Sequence, residues 1–145
     1  MITFVNIWED KILSKIRSFL NDEFAGSIAI YTGDFKDIGN QSIRLNPIGS
    51  NLIEMAVNSE VREYILDISY TFKEKTIKRD TWEHILRQVS HIEALFQNNI
   101  NASNNTFYNG RLENCRINEK TGDENIEGLN VMRWEWRGLC LTNIG

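Results

Sequence analysis

His84 and His91 stand seven residues apart, so on a helix they share a face, with Gln88 between them. A metal site there needs a carboxylate or thiolate as a further donor. None stands at a suitable spacing, so the pair reads as surface histidines and no metal is expected. Lys73, Lys75, Lys78 and Arg79 form a cationic cluster that could contact phosphate. No aromatic residue is interleaved for base stacking, so the cluster reads as a solvated turn. The two cysteines, Cys115 and Cys140, fit a reducing compartment and read as apolar-side thiols rather than a bridge. There is no glycine-rich loop between strand and helix to cradle a phosphate, and no Gly-x-Ser-x-Gly elbow. Neither histidine is spaced from a cysteine, serine or acid pair as nucleophilic catalysis requires. The carboxylates scatter over polar faces. No catalytic residue and no cofactor is expected.

The elements that remain are suited to packing and contact. From Arg62 to Lys73 the chain has a period of two. Tyr64, Leu66, Ile68, Tyr70 and Phe72 fall on one face; Asp67, Ser69, Thr71 and Lys73 fall on the other, with Ile65 out of place. This is a strand with one buried and one wet side. At ~3.3 Å per residue it spans roughly 40 Å, about twice the usual strand, and overruns the core of a small domain. A second long strand, Val131 to Thr142, puts Met132, Trp134, Trp136 and Cys140 on one face and Arg133, Glu135 and Arg137 on the other. Gly138 marks a bulge in it.

Two helices complete the pattern. Residues 5–22 carry an apolar stripe of Val5, Trp8, Ile12, Ile16, Phe19 and Leu20, with Asn6 and Glu9 as a start signal and Gly26 as a stop. Residues 80–98 carry Trp82, Ile85, Leu86, Val89, Ile92 and Phe96, with Asp80 and Glu83 as a capping pair. Glu93 lies within this stripe, so it must reach water at the edge or pair with a cation such as Arg133 or Arg137. Short strands are expected at 27–31, 43–45, 51–57 and 112–119. The fold class expected is α+β: one domain over residues 1–145, a mostly antiparallel sheet with two long strands, packed by two amphipathic helices.

Charge and hydropathy narrow the function. The net charge of −4 argues against gripping nucleic acid through the overall field. No apolar run approaches the ~20 residues of a membrane span, and no targeting segment is seen. Residues 32–50 and 98–111 are weakly specified, and binding residues tend to sit on loops held by a rigid scaffold. Their candidate contact residues are Phe35, Ile38 and Arg44 in the first and Phe107, Tyr108 and Arg111 in the second. On this reading, serine in place of Phe35 and Phe107 leaves the thermal midpoint unchanged and abolishes docking.

The order helix, short strands, long strand, helix, strand, long strand resembles the tail-terminator, or tail-completion, proteins of long-tailed bacteriophages. The resemblance rests on Trp8-Glu9-Asp10-Lys11-Ile12-Leu13, Tyr64-Ile65-Leu66-Asp67-Ile68-Ser69-Tyr70, the helix Trp82 to Phe96 and Met132-Arg133-Trp134-Glu135-Trp136-Arg137-Gly138. It covers most of the chain but is one of pattern. It implies a virion protein of the neck, assembled in the host cytoplasm and acting without catalysis. Copies form a sixfold ring that caps the tail tube, ends its polymerisation and joins it to the head connector. Its partners would be further copies of itself, the tail tube protein, the connector and, in a contractile tail, the sheath protein. DNA would cross the lumen without specific binding. Two long half-wet strands suit a sheet that continues across a subunit boundary. Another neck connector or a small α+β nucleic-acid-binding adaptor remains open. A deep pocket with a titratable pair would favour an enzyme, and a continuous basic stripe the adaptor.

Overall fold

The structure is a computed structural model that describes residues 1–33, 41–74, 79–101, 107–118 and 128–143, the side chains of 79 and 80 excepted. It is α+β. A π-helical turn, Ile7–Leu13, runs into α1, Ser14–Phe24. The strands are β1 Ala29–Thr32, β2 Gln41–Met55, β3 Ser59–Lys73, β4 Tyr108–Ile117 and β5 Leu129–Asn143, with α2, Arg79–Gln97, between β3 and β4. They form one five-stranded sheet in the order β1-β2-β3-β5-β4, parallel between β1 and β2 and antiparallel elsewhere.

The local signals act as their chemistry dictates. The Asn6 side chain accepts a hydrogen bond from the Glu9 amide at 3.2 Å, capping the first helical turn. α1 stops where Ala25 turns left-handed, with Gly26 following at positive φ. Both helices lie on one face of the sheet. Ile12, Ile16 and Leu20 from the first and Ile85, Ile92 and Phe96 from the second are buried there, and Phe19 meets Phe96 edge to face at 5.0 Å. Beneath them lie Tyr64, Leu66, Ile68 and Tyr70 of β3 and Met132, Trp134 and Trp136 of β5, all buried. Period-two placement thus describes both long strands correctly.

Several expectations change. Residues 41–55 make one continuous strand, not two short ones in a loop; its register slips at Pro47/Gly49 and Leu52/Glu54. Among the described residues no strand pairs with the outer edge of β2 beyond Leu45, and Pro47 lies on that stretch. Trp82 and Leu86, placed in the α2 stripe, are exposed at 42% and 52%. The stripe is centred on Ile85, Ile92 and Phe96, and at 100° per residue Leu86 points about 100° away from it. Val5 is likewise exposed. Gly138 is not a bulge, for β3 and β5 pair in unbroken register past it. Its missing side chain makes room for the Trp136 indole, whose Cη2 would lie 2.3 Å from a Cβ at that position. The capping pair Asp80 and Glu83 falls partly on a side chain outside the described ones.

Candidate assembly surfaces

The face of the sheet away from the helices carries the charges that alternation assigns to it. It is not uniformly wet: Ser42, Ser69, Thr71, Arg44 and Arg133 are buried there, with the Ser42 and Thr71 hydroxyls 2.8 Å apart. Pairing register sorts the ionic residues into rows across the strands. Glu63 starts one end. Arg137 and Arg111 form the next row, then Asp67, Glu135 and Glu113, then Arg133, Arg116 and Arg44. Successive rows alternate in sign and lie about 6.6 Å apart, two residues along a strand. Arg137 donates to Glu63 at 2.7 Å and to Glu135 at 3.0 Å, and these acceptors raise its pKa. Arg133 donates to Asp67 at 2.6 Å. Arg111 reaches Glu63 and Glu113 at 3.5 Å. The rows are close to balance, five arginines against four carboxylates, which limits the field they present to a polyanion.

Past Ile65 the sheet outgrows its helices. The far halves of β2 and β3, backed by the end of β5, form an arm. Its root is marked by Trp8, whose ring stands edge-on to Tyr64 at 4.9 Å. Residues 51–58 are exposed throughout. Ile48, Leu52, Ile53, Met55, Val57 and, on β5, Leu141 are exposed large apolar side chains. Sequence reading took 51–57 as an ordinary short strand. A signal was present: that run is rich in apolar residues, yet lies opposite the end of a strand already too long for the core.

The loop residues named from sequence scatter. Phe35 and Ile38 lie outside the described residues. Arg44 is buried in the last charged row. Phe107 is 1% exposed and stands edge-on to Trp136 at 5.1 Å, so it is a core side chain in this chain, not an exposed contact. Only Tyr108 and Arg111 come together on the charged face; Tyr108 lies opposite Leu139 at the root of the arm. β4 begins earlier than expected. It bulges at Tyr108/Arg111 and Glu113/Arg116, where Asn109 and Asn114 take the left-handed backbone that asparagine tolerates.

The candidate chemical groups find structural partners. Glu93 accepts from the Trp134 indole at 3.2 Å; Arg133 and Arg137, its expected partners, point to the opposite face. It lines a half-open cavity of about 520 Å³ with Phe96, Ile100, Arg111 and Leu112. His84 and His91 flank the buried stripe of α2. The His84 ring meets Phe72 at 5.2 Å, and His91 Nε2 pairs with Glu23 at 2.7 Å. Neither thiol is in a disulfide. Burial pushes Cys140 up to about 11 and raises Cys115 as well, the reverse of what a reactive thiolate needs. Among the described residues no three His, Cys, Asp or Glu side chains gather as a metal site, and no helix is long and apolar enough to cross a membrane.

No protein-family model and no curated protein sequence matches the chain. A solved structure does. A chain in the virion of a native gene transfer agent (GTA) particle matches with a TM-score of 0.63 and 9% sequence identity, over 95% of this chain and 100% of that one. At that identity the likeness is one of fold.

Proposed function

We propose that this protein is a structural subunit of a phage-like virion and acts at the neck. In this reading copies form a sixfold ring that caps the tail tube, stops its polymerisation and joins it to the head connector. The observation that carries the reading is the two-way coverage of the virion chain, 95% and 100%. The site chemistry agrees: Glu93, His84, His91 and buried Cys140 are engaged in packing or hydrogen bonds, and large apolar side chains stand exposed on the arm. A nearly balanced charged face also suits a lumen that DNA must cross without being held. The proposed partners are further copies, the tube, the connector and a sheath where the tail contracts. The protein would therefore reside in the virion and have no catalytic role.

Deleting the gene and imaging the particles tests this. The expected outcome is tails of irregular length beside unjoined heads, and a sixfold ring of this chain at the neck of the complete particle. A lone copy on the tail axis, or joined particles of normal length without the protein, would refute it.

A further inference from the structure

We infer that the cavity between the end of α2 and β4 receives a lysine side chain from a partner protein, with the ammonium seated on Glu93. The cavity measures about 520 Å³, within the range of ordinary ligand pockets, and is half open to solvent. It lies where the helical cover of the sheet ends. Arg111 and Leu112, on its β4 side, pair with Arg137 and Trp136, level with the root of the arm. Glu93 is the unusual residue in it: a half-buried carboxylate beside the apolar stripe of α2. Its Oε2 accepts from the buried Trp134 indole at 3.2 Å, and among the described residues no cation pairs with it. Arg111, the other charged residue lining the cavity, turns its guanidinium to the Asn109 carbonyl at 3.1 Å and to Glu63 and Glu113 at 3.5 Å. The cavity is therefore left with one negative charge that its surroundings do not balance. A partly desolvated carboxylate without a cation is costly, and a cation arriving from outside removes that cost.

The lining selects which cation. Ser90 and Gln97 line the cavity on either side of Glu93, three residues before it and four after, so all three share one face of the helix. A hydroxyl and an amide oxygen thus flank the carboxylate. An ammonium carries three donors on a compact head and can bond the carboxylate and a flanking oxygen together. Phe96, Ile100 and Leu112 supply apolar surface for the four-carbon stem behind it. Arginine fits less well, because its planar fork takes both oxygens of a carboxylate and the indole already holds one. A wholly apolar group would strip water from Glu93 and return nothing. The inference does not rest on the neck reading; it concerns one chain and one side chain, whatever assembly supplies the lysine.

The test is an NMR titration of the full chain, isotope-labelled at its tryptophan side chains, with Nα-acetyl-lysine methylamide as the probe. The Trp134 indole N–H touches Glu93, so its signal reports on the site. It should shift as the lysine probe is added. The norleucine analogue, a similar stem without the charge, and the arginine analogue should each need roughly tenfold more, the scale of one charged hydrogen bond. Glu93→Gln keeps a carbonyl oxygen for the indole and removes the charge, so it should hold its thermal midpoint and weaken the lysine probe by the same factor. If its midpoint falls, Gln97→Lys takes its place: that exposed position sets a tethered ammonium beside Glu93 and should block the probe. Carbodiimide coupling of the assembled protein then identifies the source, with an amide between Glu93 and a lysine of another chain expected. An unmoved Trp134 signal, equal shifts from lysine and norleucine, tighter binding of arginine, or a variant that binds the lysine probe as the wild type does would overturn the site. Glu93 coupled only to a small free amine would overturn the partner protein.

Discussion

β3 and β5 run side by side for their whole length, yet their two halves do different work. From Leu66 to Phe72 and from Met132 to Trp136, every side chain on the helix side is buried. From Ser59 to Glu63 and from Leu141 to Asn143, the same two strands are partly or fully exposed, with the exposed end of β2 beside them. Backbone pairing is unbroken across the boundary between them. Alternation of side chains therefore sets which face a residue takes, and the reach of the two helices sets whether that face is covered. The covered half should carry the stability of the domain and the bare half its associations.

The largest effect is expected in the covered half. Trp136 is fully buried between Phe107 and the bare backbone of Gly110 and Gly138. Trp136→Ala should cost roughly 3–5 kcal/mol, the usual range for a large core aromatic. In a domain of this size that is a fall of about 10 °C or more in thermal midpoint. Phe107→Ser should fall in the same range, since its ring is part of the same cluster. A Phe107→Ser midpoint within a degree or two of wild type would return that residue to the loop surface.

Gly138→Ala comes next. An added methyl collides with the indole at 2.3 Å, and the neighbouring strand pairing leaves little room to shift. Overpacking of this kind costs roughly 1–3 kcal/mol. A neutral result would mean the Trp136 ring can tilt, and that the slot is looser than its geometry.

These two sites also mark what the sequence made legible. The α+β class, both helices, the inward faces of both long strands and the Asn6 cap follow from local periodicity and short-range hydrogen bonding, which the chain carries at spacings of two to four residues. The Gly138 slot does not. A glycine in a strand has several uses, and only the position of Trp136, set by tertiary packing, selects among them. Phe107 was misplaced for a similar reason: an asparagine-rich context says loop, and only the lateral position of β4 brings the ring over β5. The arm was half legible. Strand length signalled an overrun, but nothing local told how far the helices reach, so the exposed apolar residues at 48–57 went unnamed while buried Arg44 was named.

Trp82→Ala sharpens the boundary from the helix side. Were this side chain in the core, its loss would cost roughly 3–5 kcal/mol. Exposed at 42%, it should cost about 1 kcal/mol or less, near the range of surface changes. Ile85→Ala, one turn on and fully buried, should cost roughly 2–5 kcal/mol. Equal losses at the two positions would erase the distinction between the outer flank of α2 and its buried stripe.

The smallest effect concerns Cys140, which sits where the two halves meet. Its thiol is buried and its pKa is pushed from 9.0 up to about 11, chiefly by desolvation. The unfolded chain ionises first as pH rises, so between about pH 9 and 11 the folded state holds a proton that the unfolded state has released. Stability from this group is complete below pH 9 and is lost as pH climbs through that window. Tyr64 and Tyr70, also raised by burial, add losses of the same sign from pH 10 upward. Cys140→Ala separates the thiol from the phenols. Comparing midpoints at pH 8 and pH 10, the wild type should lose more than the variant. Cys140 lies opposite Arg62, directly beside the bare end of the sheet, and Lys11 alone opposes its shift. If water reaches this point through the arm, the thiol titrates near its ordinary value and the two proteins lose stability in parallel. The difference between them thus reports how sharply the covered half ends.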